Sequence, residues 1–214
     1  MTAVTEEAAG PTIVLDTFAD AKDAYRSKDL RQALDDEGEV VMDGVLVNLH
    51  GREHRDRRRV ENRMFRRDVF ERYERDLFPA VTEQTLVPYL ESGRVDLVHL
   101  GHELMLNLSA LTAGIDRPLG TTEETERLYD YNAKFIEGAT MAHHTGDKAA
   151  LSREIAEALE AWDAEFLAPS WALREDLLAR EAAGEDVDVP RDVLATLLRH
   201  RDELDLPRHV IRRE

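Results

Sequence analysis

The residues best suited to chemistry lie between His50 and Phe65, in the stretch HGREHRDRRRVENRMF. His50, Glu53 and His54 have the H-x-x-E-H spacing of inverted zinc-protease motifs, in which two imidazoles bind zinc and the glutamate activates water. Gly51 lies inside the helical turn that such a site needs, where glycine costs about 1 kcal/mol relative to alanine. The arginines that follow would surround the metal with positive charge, so zinc is the weaker hypothesis for this stretch.

The same stretch concentrates positive charge in an acidic chain. The net charge is −17, from 28 basic and 45 acidic residues. The clustered arginines are Arg52, Arg55, Arg57, Arg58, Arg59, Arg63, Arg66 and Arg67. Such a cluster predicts a site for a small anion or an acidic protein. The overall negative charge argues against nucleic acid or a membrane surface as partner, since both require basic residues that neutralise phosphates.

Two residues of this stretch stand out by their spacing. Arg58 follows His54 by four positions, which places both on one helix face, and Phe65, eleven residues after His54, returns to that face. An imidazole and a guanidinium on one face suit two carboxylates, to which they donate charge-assisted hydrogen bonds. Four other arginines are predicted to lie on the solvated surface: Arg55, Arg57, Arg63 and Arg66.

The pattern Glu53-His54-x-x-x-Arg58-Arg59, followed by Phe65, resembles the helix C signature of soluble bacterial cytochromes P-450. In that family the histidine and the arginine point at the propionates of the haem. The resemblance therefore implies that His54 and Arg58 bind the propionates of haem b, and it assigns no metal ligand and no catalytic residue to this chain.

The resemblance extends in order over nearly the whole chain. The other matching segments are Phe18 to Asp29, Val95 to Ile115, Leu128 to Ala139, Leu151 to Leu178, Val193 to Leu198 and Val210 to Glu214. They are similar to the family's helices B, E, F, G and H and to the first turn of helix I. The implied fold is mainly α, the N-terminal helical half (helices B to H) of a P-450-like fold with little β structure. Residues 1–11 would be a flexible N-terminus and residues 12–214 a partial domain.

The family consists of haem-thiolate monooxygenases, which insert oxygen into apolar organic substrates. The resemblance implies a small apolar substrate and a ferredoxin-type redox partner that docks on the arginine-rich helix. Haem-thiolate chemistry needs a cysteine ligand to iron, and this chain has no cysteine. The family's Ala-Gly-x-x-Thr motif, its Glu-x-x-Arg pair and its haem loop follow the segments that match. We therefore expect the chain to be inactive by itself, as a truncation or as the product of a split gene or pseudogene.

A second class of function is open. The chain can instead be a free-standing helical module whose arginine-rich helix binds an acidic partner or an anion. In either case we expect a cytoplasmic protein, because the first ten residues contain glutamates and no basic segment, and no apolar run approaches the length of a membrane span.

Apolar residues recur mainly at the spacing of an α-helix, so we expect helices to position the residues of the His50–Phe65 stretch. One short strand is predicted for residues 12–15, and a loop or irregular helix for Val40 to Leu49. Helices are predicted for Phe18 to Leu34, Glu53 to Phe65, Phe70 to Gly93 and Val95 to Ala113, with a kink at Pro79 in the third of them. A further helix is predicted to begin at a capping box formed by Thr121 and Glu124. The remaining helices are predicted from Asp147 to Gly184, with a bend at Pro169, and after Pro190.

The remaining histidines and aromatic residues are expected to be structural. His143 and His144 are neighbours and do not share a helix face, so we assign them to the surface. His99 and His102 are predicted to form a half-buried pair. Packing positions are predicted for Trp162, Phe166 and Trp171. If the chain is half of a fold, the apolar stripes around Leu108, Leu159 and Phe166 should lack part of their cover.

Overall fold

The structure is a computed structural model that describes residues 13–214. Within that range it contains helices and no β-strand, which confirms the prediction of a mainly α fold. The chain divides into two compact units, with the boundary between Gln32 and Ala33. Of the described helices, none is long and apolar enough to cross a membrane.

The first unit contains one described helix, α1 (Phe18–Arg26). Thr17 begins it, because its Oγ1 accepts a hydrogen bond from the Asp20 amide at 3.1 Å. The helix ends at Arg26, since Ser27 has extended backbone angles, so the prediction of a helix as far as Leu34 is wrong. The predicted strand is also wrong where it is described, because residues 13–15 are exposed and a strand needs a hydrogen-bonded neighbour. Thr12 and the predicted flexible N-terminus, residues 1–11, lie outside the described residues.

The second unit is a set of helices joined by short turns. In chain order they are α2 (Glu39–Met42), α3 (Gly51–Glu61), α4 (Arg67–Arg72), α5 (Phe78–Ser92), α6 (Leu97–Ala113), α7 (Thr122–Ala139), α8 (Lys148–Trp162), α9 (Ala168–Ala182), α10 (Val193–His200) and α11 (Arg208–Ile211). A 3₁₀ turn at Leu46–Asn48 precedes α3 and another at Asn62–Phe65 follows it. The prediction of a loop or irregular helix before α3 is confirmed.

Two of these connections have the same local construction. A π-helical turn at Tyr73–Leu77 joins α4 to α5, and another at Asp163–Leu167 joins α8 to α9. Each ends two residues before a proline, Pro79 or Pro169. Proline lacks the amide donor and crowds the preceding turn, and a π turn is a common local response to such a disturbance. The sequence correctly placed a distortion at both prolines.

Local signals set most helix ends. Asp96, Thr121, Asp147 and Asp192 accept backbone hydrogen bonds as N-caps. One half of the expected capping box forms, since Thr121 Oγ1 accepts from the Glu124 amide at 3.2 Å. The other half is shifted by one residue, because the Glu124 carboxylate accepts from the Gly120 amide at 2.7 Å instead of from the Thr121 amide.

The core of this unit lies where α6 to α11 meet. Phe166, 1% exposed, packs with Leu106, Ala110 and Leu128, and Trp171 packs with Leu167 and the apolar face of α10. The packing roles predicted for the tryptophans and Phe166 are confirmed. Leu159 and Phe166 are buried, because residues of α6 and α7 contact Phe166, so the expectation of missing cover is wrong for these two. Leu108 is half-buried.

A buried ion cluster joins α9 to α10 and to the segment after α6. Arg174 donates from Nε to Asp192 Oδ2 at 3.0 Å and from NH2 to Asp116 Oδ1 at 3.1 Å. Asp192 Oδ1 in turn accepts from the Ala195 amide at 2.7 Å and so caps α10. Because Arg174 and Asp192 are both buried, each charge depends on the other for its stability in the interior.

Candidate anion-binding helix

The start of α3 rules out the zinc hypothesis. His50 is extended, with φ −143°, and precedes the helix, while Gly51 has a positive φ of 65° at the first helical position. His50, Glu53 and His54 therefore do not share the continuous helical turn that the motif requires. Among residues 13–214 there is no group of three or more His, Cys, Asp or Glu side chains that could hold a metal ion.

His54 and Arg58 are one turn apart on α3. His54 is half-buried and Arg58 is exposed. Within the part of the chain that the structure describes, neither side chain makes a hydrogen bond or salt bridge to another residue. Phe65 is exposed and lies in the 3₁₀ turn after α3. The α-helix therefore ends between His54 and Phe65, and the α-helical spacing that predicts both residues on one face does not hold over the whole interval.

Arg57, the neighbour of Arg58, has the opposite environment. It is 2% exposed, and its surface assignment from the sequence is wrong. Nε donates to Glu61 Oε1 at 3.1 Å, NH1 donates to the Gly44 carbonyl at 2.9 Å, and NH2 contacts the Glu214 carboxylate. The side chain lies on the same helix face as the buried Val60, and its charge is tolerated there because its donors are matched by carboxylates and a carbonyl.

The two carboxylates beside Arg57 are perturbed by burial. Burial raises the pKa of Glu61 to about 7, with repulsion from Glu214 acting in the same direction and the Arg57 charge opposing it. Burial also raises the pKa of Glu214, although Arg57 and the Leu46 amide, 3.1 Å from Glu214 Oε2, favour the charged form. The sequence shows Arg57 and Glu61 at helical spacing, but Glu214 is 157 residues away and carries no local signal.

Contacts to α10 position the exposed part of α3. Arg59 forms a salt bridge of 3.6 Å with Glu203, just after α10, and Arg63 hydrogen-bonds His200. Arg55 and Arg58 point to solvent and form no ion pair with another described residue. The surface assignments of Arg55, Arg63 and Arg66 are confirmed. We refer to Arg55 and Arg58 as the open arginine face.

An apolar cavity of about 300 Å³ lies among α6, α7, α8 and α10. Leu106, Leu128, Phe135, Leu159 and Trp162 line it, and Arg212 and Glu214 lie at its edge. Its size and lining suit a small apolar molecule.

The other histidines form no site with α3. His99 and His102 are exposed, so the predicted half-buried pair is wrong, because the first half of α6 faces solvent. The His102 ring instead stacks on Tyr129, with centroids 5.5 Å apart. His143 is exposed as predicted, and His144 is half-buried, with Nδ1 3.7 Å from a Glu137 oxygen.

The residues present fit one part of a haem and not another. Two unpaired donors, His54 and Arg58, lie on one face of a helix anchored by Arg57, and this arrangement suits a pair of carboxylates. The chain contains no cysteine to bind iron as a thiolate.

Comparison of the chain with models of protein families, with curated proteins and with solved structures finds no match.

Proposed function

We propose that this chain is the N-terminal portion of a haem monooxygenase of the cytochrome P-450 type. The observation behind this proposal is the pair His54 and Arg58, one helical turn apart and without a side-chain hydrogen bond or salt bridge to another described residue. The order of the helices supports it, since α3, α6, α7, α8, α9 and α10 fall on the segments that resemble the family.

In this proposal α3 binds the carboxylates of haem b. Arg58 supplies a fixed positive charge with several N–H donors, and His54 supplies one further donor. The buried Arg57 and the Arg59 and Arg63 contacts to α10 hold α3 in place, so the two donors have a defined separation before a ligand arrives.

The other parts of the activity are assigned accordingly. When bound, haem would supply oxygen activation, and the iron ligand must come from another polypeptide segment because this chain has no cysteine. The apolar cavity between α6 and α10 would receive part of a small apolar substrate. The open arginine face would meet the acidic surface of a ferredoxin-type partner.

Haem titration tests the role of α3. Ferric haem b added to the chain, followed by absorption, should bind about tenfold more weakly to His54→Ala and to Arg58→Ala than to the unaltered chain. Arg55→Ala is the matched control, since Arg55 is also an exposed arginine of α3 without a described ion-pair partner. Absent binding, or equal binding by all variants, would contradict the assigned role.

The codons that follow Glu214 test the wider proposal. They should encode an Ala-Gly-x-x-Thr helix, a Glu-x-x-Arg pair and a cysteine-containing haem loop. If no frame encodes these elements, the chain does not belong to an ordinary haem monooxygenase.

The open arginine face also supports a second candidate, a free-standing module that binds an acidic protein. Its two arginines have no ion-pair partner among the described residues, so they form a local positive site in a chain whose net charge is −17. Here poly-glutamate should bind in a salt-dependent manner, Arg55→Ala and Arg58→Ala should weaken binding equally, and His54→Ala should leave it unchanged. The different response of Arg55 and His54 separates the two functions.

A further inference from the structure

A second pocket lies beside the contact between Arg63, just after α3, and His200 of α10. It has a volume of about 430 Å³ and is bounded by the 3₁₀ turn after α3, the start of α4, the segment before α10 and α10 itself. Part of its lining is apolar, formed by Met64, Val69, Val189 and Ala195. Its rim is charged, and the balance of those charges decides what the pocket can bind.

Every carboxylate that lines this pocket already has an arginine partner. Arg191 NH1 is 2.9 Å from Asp68 Oδ2, and Arg199 NH2 is 3.1 Å from Glu181 Oε1. The third carboxylate, Asp188, lies 3.1 Å from Arg72 NH2. These pairs neutralise the negative charge of the rim and leave its carboxylates with little attraction for a further cation.

Two arginines of the same pocket have no carboxylate partner. Arg66 makes no hydrogen bond or salt bridge with another described side chain. Arg63 contacts the Nε2 atom of His200. The other ring nitrogen, Nδ1, lies 3.0 Å from Glu203 Oε2, so in the tautomer in which Nδ1 donates to that carboxylate, Nε2 accepts from Arg63. Arg63 is thus held in position while its charge is not compensated.

We infer that this pocket binds an organic anion, with a phosphate or carboxylate head on Arg63 and Arg66 and a short apolar body on the Met64, Val69 and Val189 surface. Guanidinium groups are suited to both heads because they donate parallel hydrogen bonds. A pocket of this volume takes a small molecule. The site uses neither His54 nor Arg58, so it goes beyond the proposed function and does not depend on haem.

Calorimetric titration with hexyl phosphate at low salt tests this inference. The chain should bind one equivalent, and Arg66→Ala and Arg63→Ala should each weaken binding about tenfold. Arg153→Ala, which removes an exposed arginine of α8 outside the pocket, should leave the affinity unchanged. Methyl phosphate should bind more weakly than hexyl phosphate, because it leaves the apolar surface uncovered.

Several outcomes would overturn the inference. These are the absence of measurable heat with hexyl phosphate, an equal loss of affinity in all three arginine variants, and equal binding of hexylammonium. The exposed Arg66 side chain makes no hydrogen bond or salt bridge with another described residue, so Arg66→Ala should melt like the unaltered chain and its binding result can be interpreted even if Arg63→Ala is unstable. Haem titration of Arg66→Ala should be unaffected, because Arg66 neither belongs to the proposed haem site nor holds α3 on α10, and this keeps the test separate from that of the proposed function.

Discussion

Arg57 and Arg58 are neighbours in the sequence, yet they have different chemistry. Arg57 is enclosed by Glu61, Glu214 and the Gly44 carbonyl, so its charge is used to hold the fold together. Arg58 faces solvent without a partner among the described residues, so its charge is available to a ligand. The 100° step between adjacent helix positions is enough to separate the two roles.

The carboxyl of Glu61 should make the stability of the protein depend on pH near neutrality. Its pKa is about 7 in the fold against 4.5 for the ordinary group, so the folded state holds this proton more tightly than the unfolded chain does. Its stabilising contribution is fully present below about pH 4.5 and is lost as the pH rises through about 7. Glu61→Gln, which keeps an acceptor for Arg57, should therefore be more stable than the unaltered chain by about 1–3 kcal/mol at about pH 8.

Urea denaturation of both proteins at about pH 8 and about pH 5 measures this difference. The advantage of the variant should shrink at the lower pH, where Glu61 is protonated in the fold. Burial also raises the pKa of Asp192, but that carboxyl remains in the variant and cancels in the comparison. Glu214 repels Glu61, so the measured difference belongs to the ion cluster that the two carboxyls form around Arg57. A constant difference between the two pH values would contradict the assignment.

In the second unit, the end of α6 at Gly114 lies close to Asp192 at the start of α10. Gly114 ends α6 with φ 87°, and a Cβ at that position would lie 2.6 Å from Asp192 Oδ1. The added atom would collide with the carboxylate that binds Arg174 and caps α10. The end of α6 and the start of α10 are therefore coupled through one side chain.

Gly114→Ala should accordingly destabilise the protein by more than the cost of its backbone angle. Gly93→Ala is the matched control, because Gly93 ends α5 with φ 64° and an added Cβ would meet no atom within 4 Å there. We expect a loss of about 1–2 kcal/mol for Gly93→Ala, from the left-handed backbone alone, and about 2–3 kcal/mol more for Gly114→Ala, from the disturbed ion pairs. Equal losses in thermal or urea unfolding would show that the collision is relieved at no cost.

At the scale of the whole molecule, the second unit carries a group of exposed apolar side chains on α5 and α6. Leu90, Leu97, Val98 and Met105 are each more than 60% exposed. The sequence predicted incompletely covered apolar surface around Leu108, Leu159 and Phe166, of which Leu108 is half-buried and the other two are buried. Large exposed apolar patches favour self-association and dye binding.

Replacing Leu90 and Leu97 together by lysine should therefore lower the binding of a hydrophobic dye and any concentration-dependent association, without reducing the free energy of unfolding. Dye fluorescence and sedimentation velocity measure these two effects. Leu119→Lys is the control, since Leu119 is also exposed but lies in the turn before α7. A similar reduction by the control would mean that the surface of α5 and α6 is not the source.

Much of the local structure could be predicted from the sequence, for a simple reason. Caps at Thr121 and Asp147, glycine ends at Gly93 and Gly114, and distortions before Pro79 and Pro169 depend on residues within one or two turns of each other. The helical period and the arginine-rich helix α3 are likewise local patterns. The expected strand is absent from residues 13–15, the part of it that the structure describes, because a strand needs a distant partner, which local composition does not supply.

The tertiary structure alone decided which charges are available. The contact of Arg57 with Glu214 and that of Arg63 with His200 join residues more than a hundred positions apart. The pairings of Asp68 with Arg191 and of Asp188 with Arg72 likewise join residues more than a hundred positions apart. The sequence by itself determined that this chain is helical and that it concentrates arginines on α3. Whether each arginine is neutralised or free depends on which carboxylates the fold brings within a few ångströms, because the interaction of charges falls with distance in space and not along the chain.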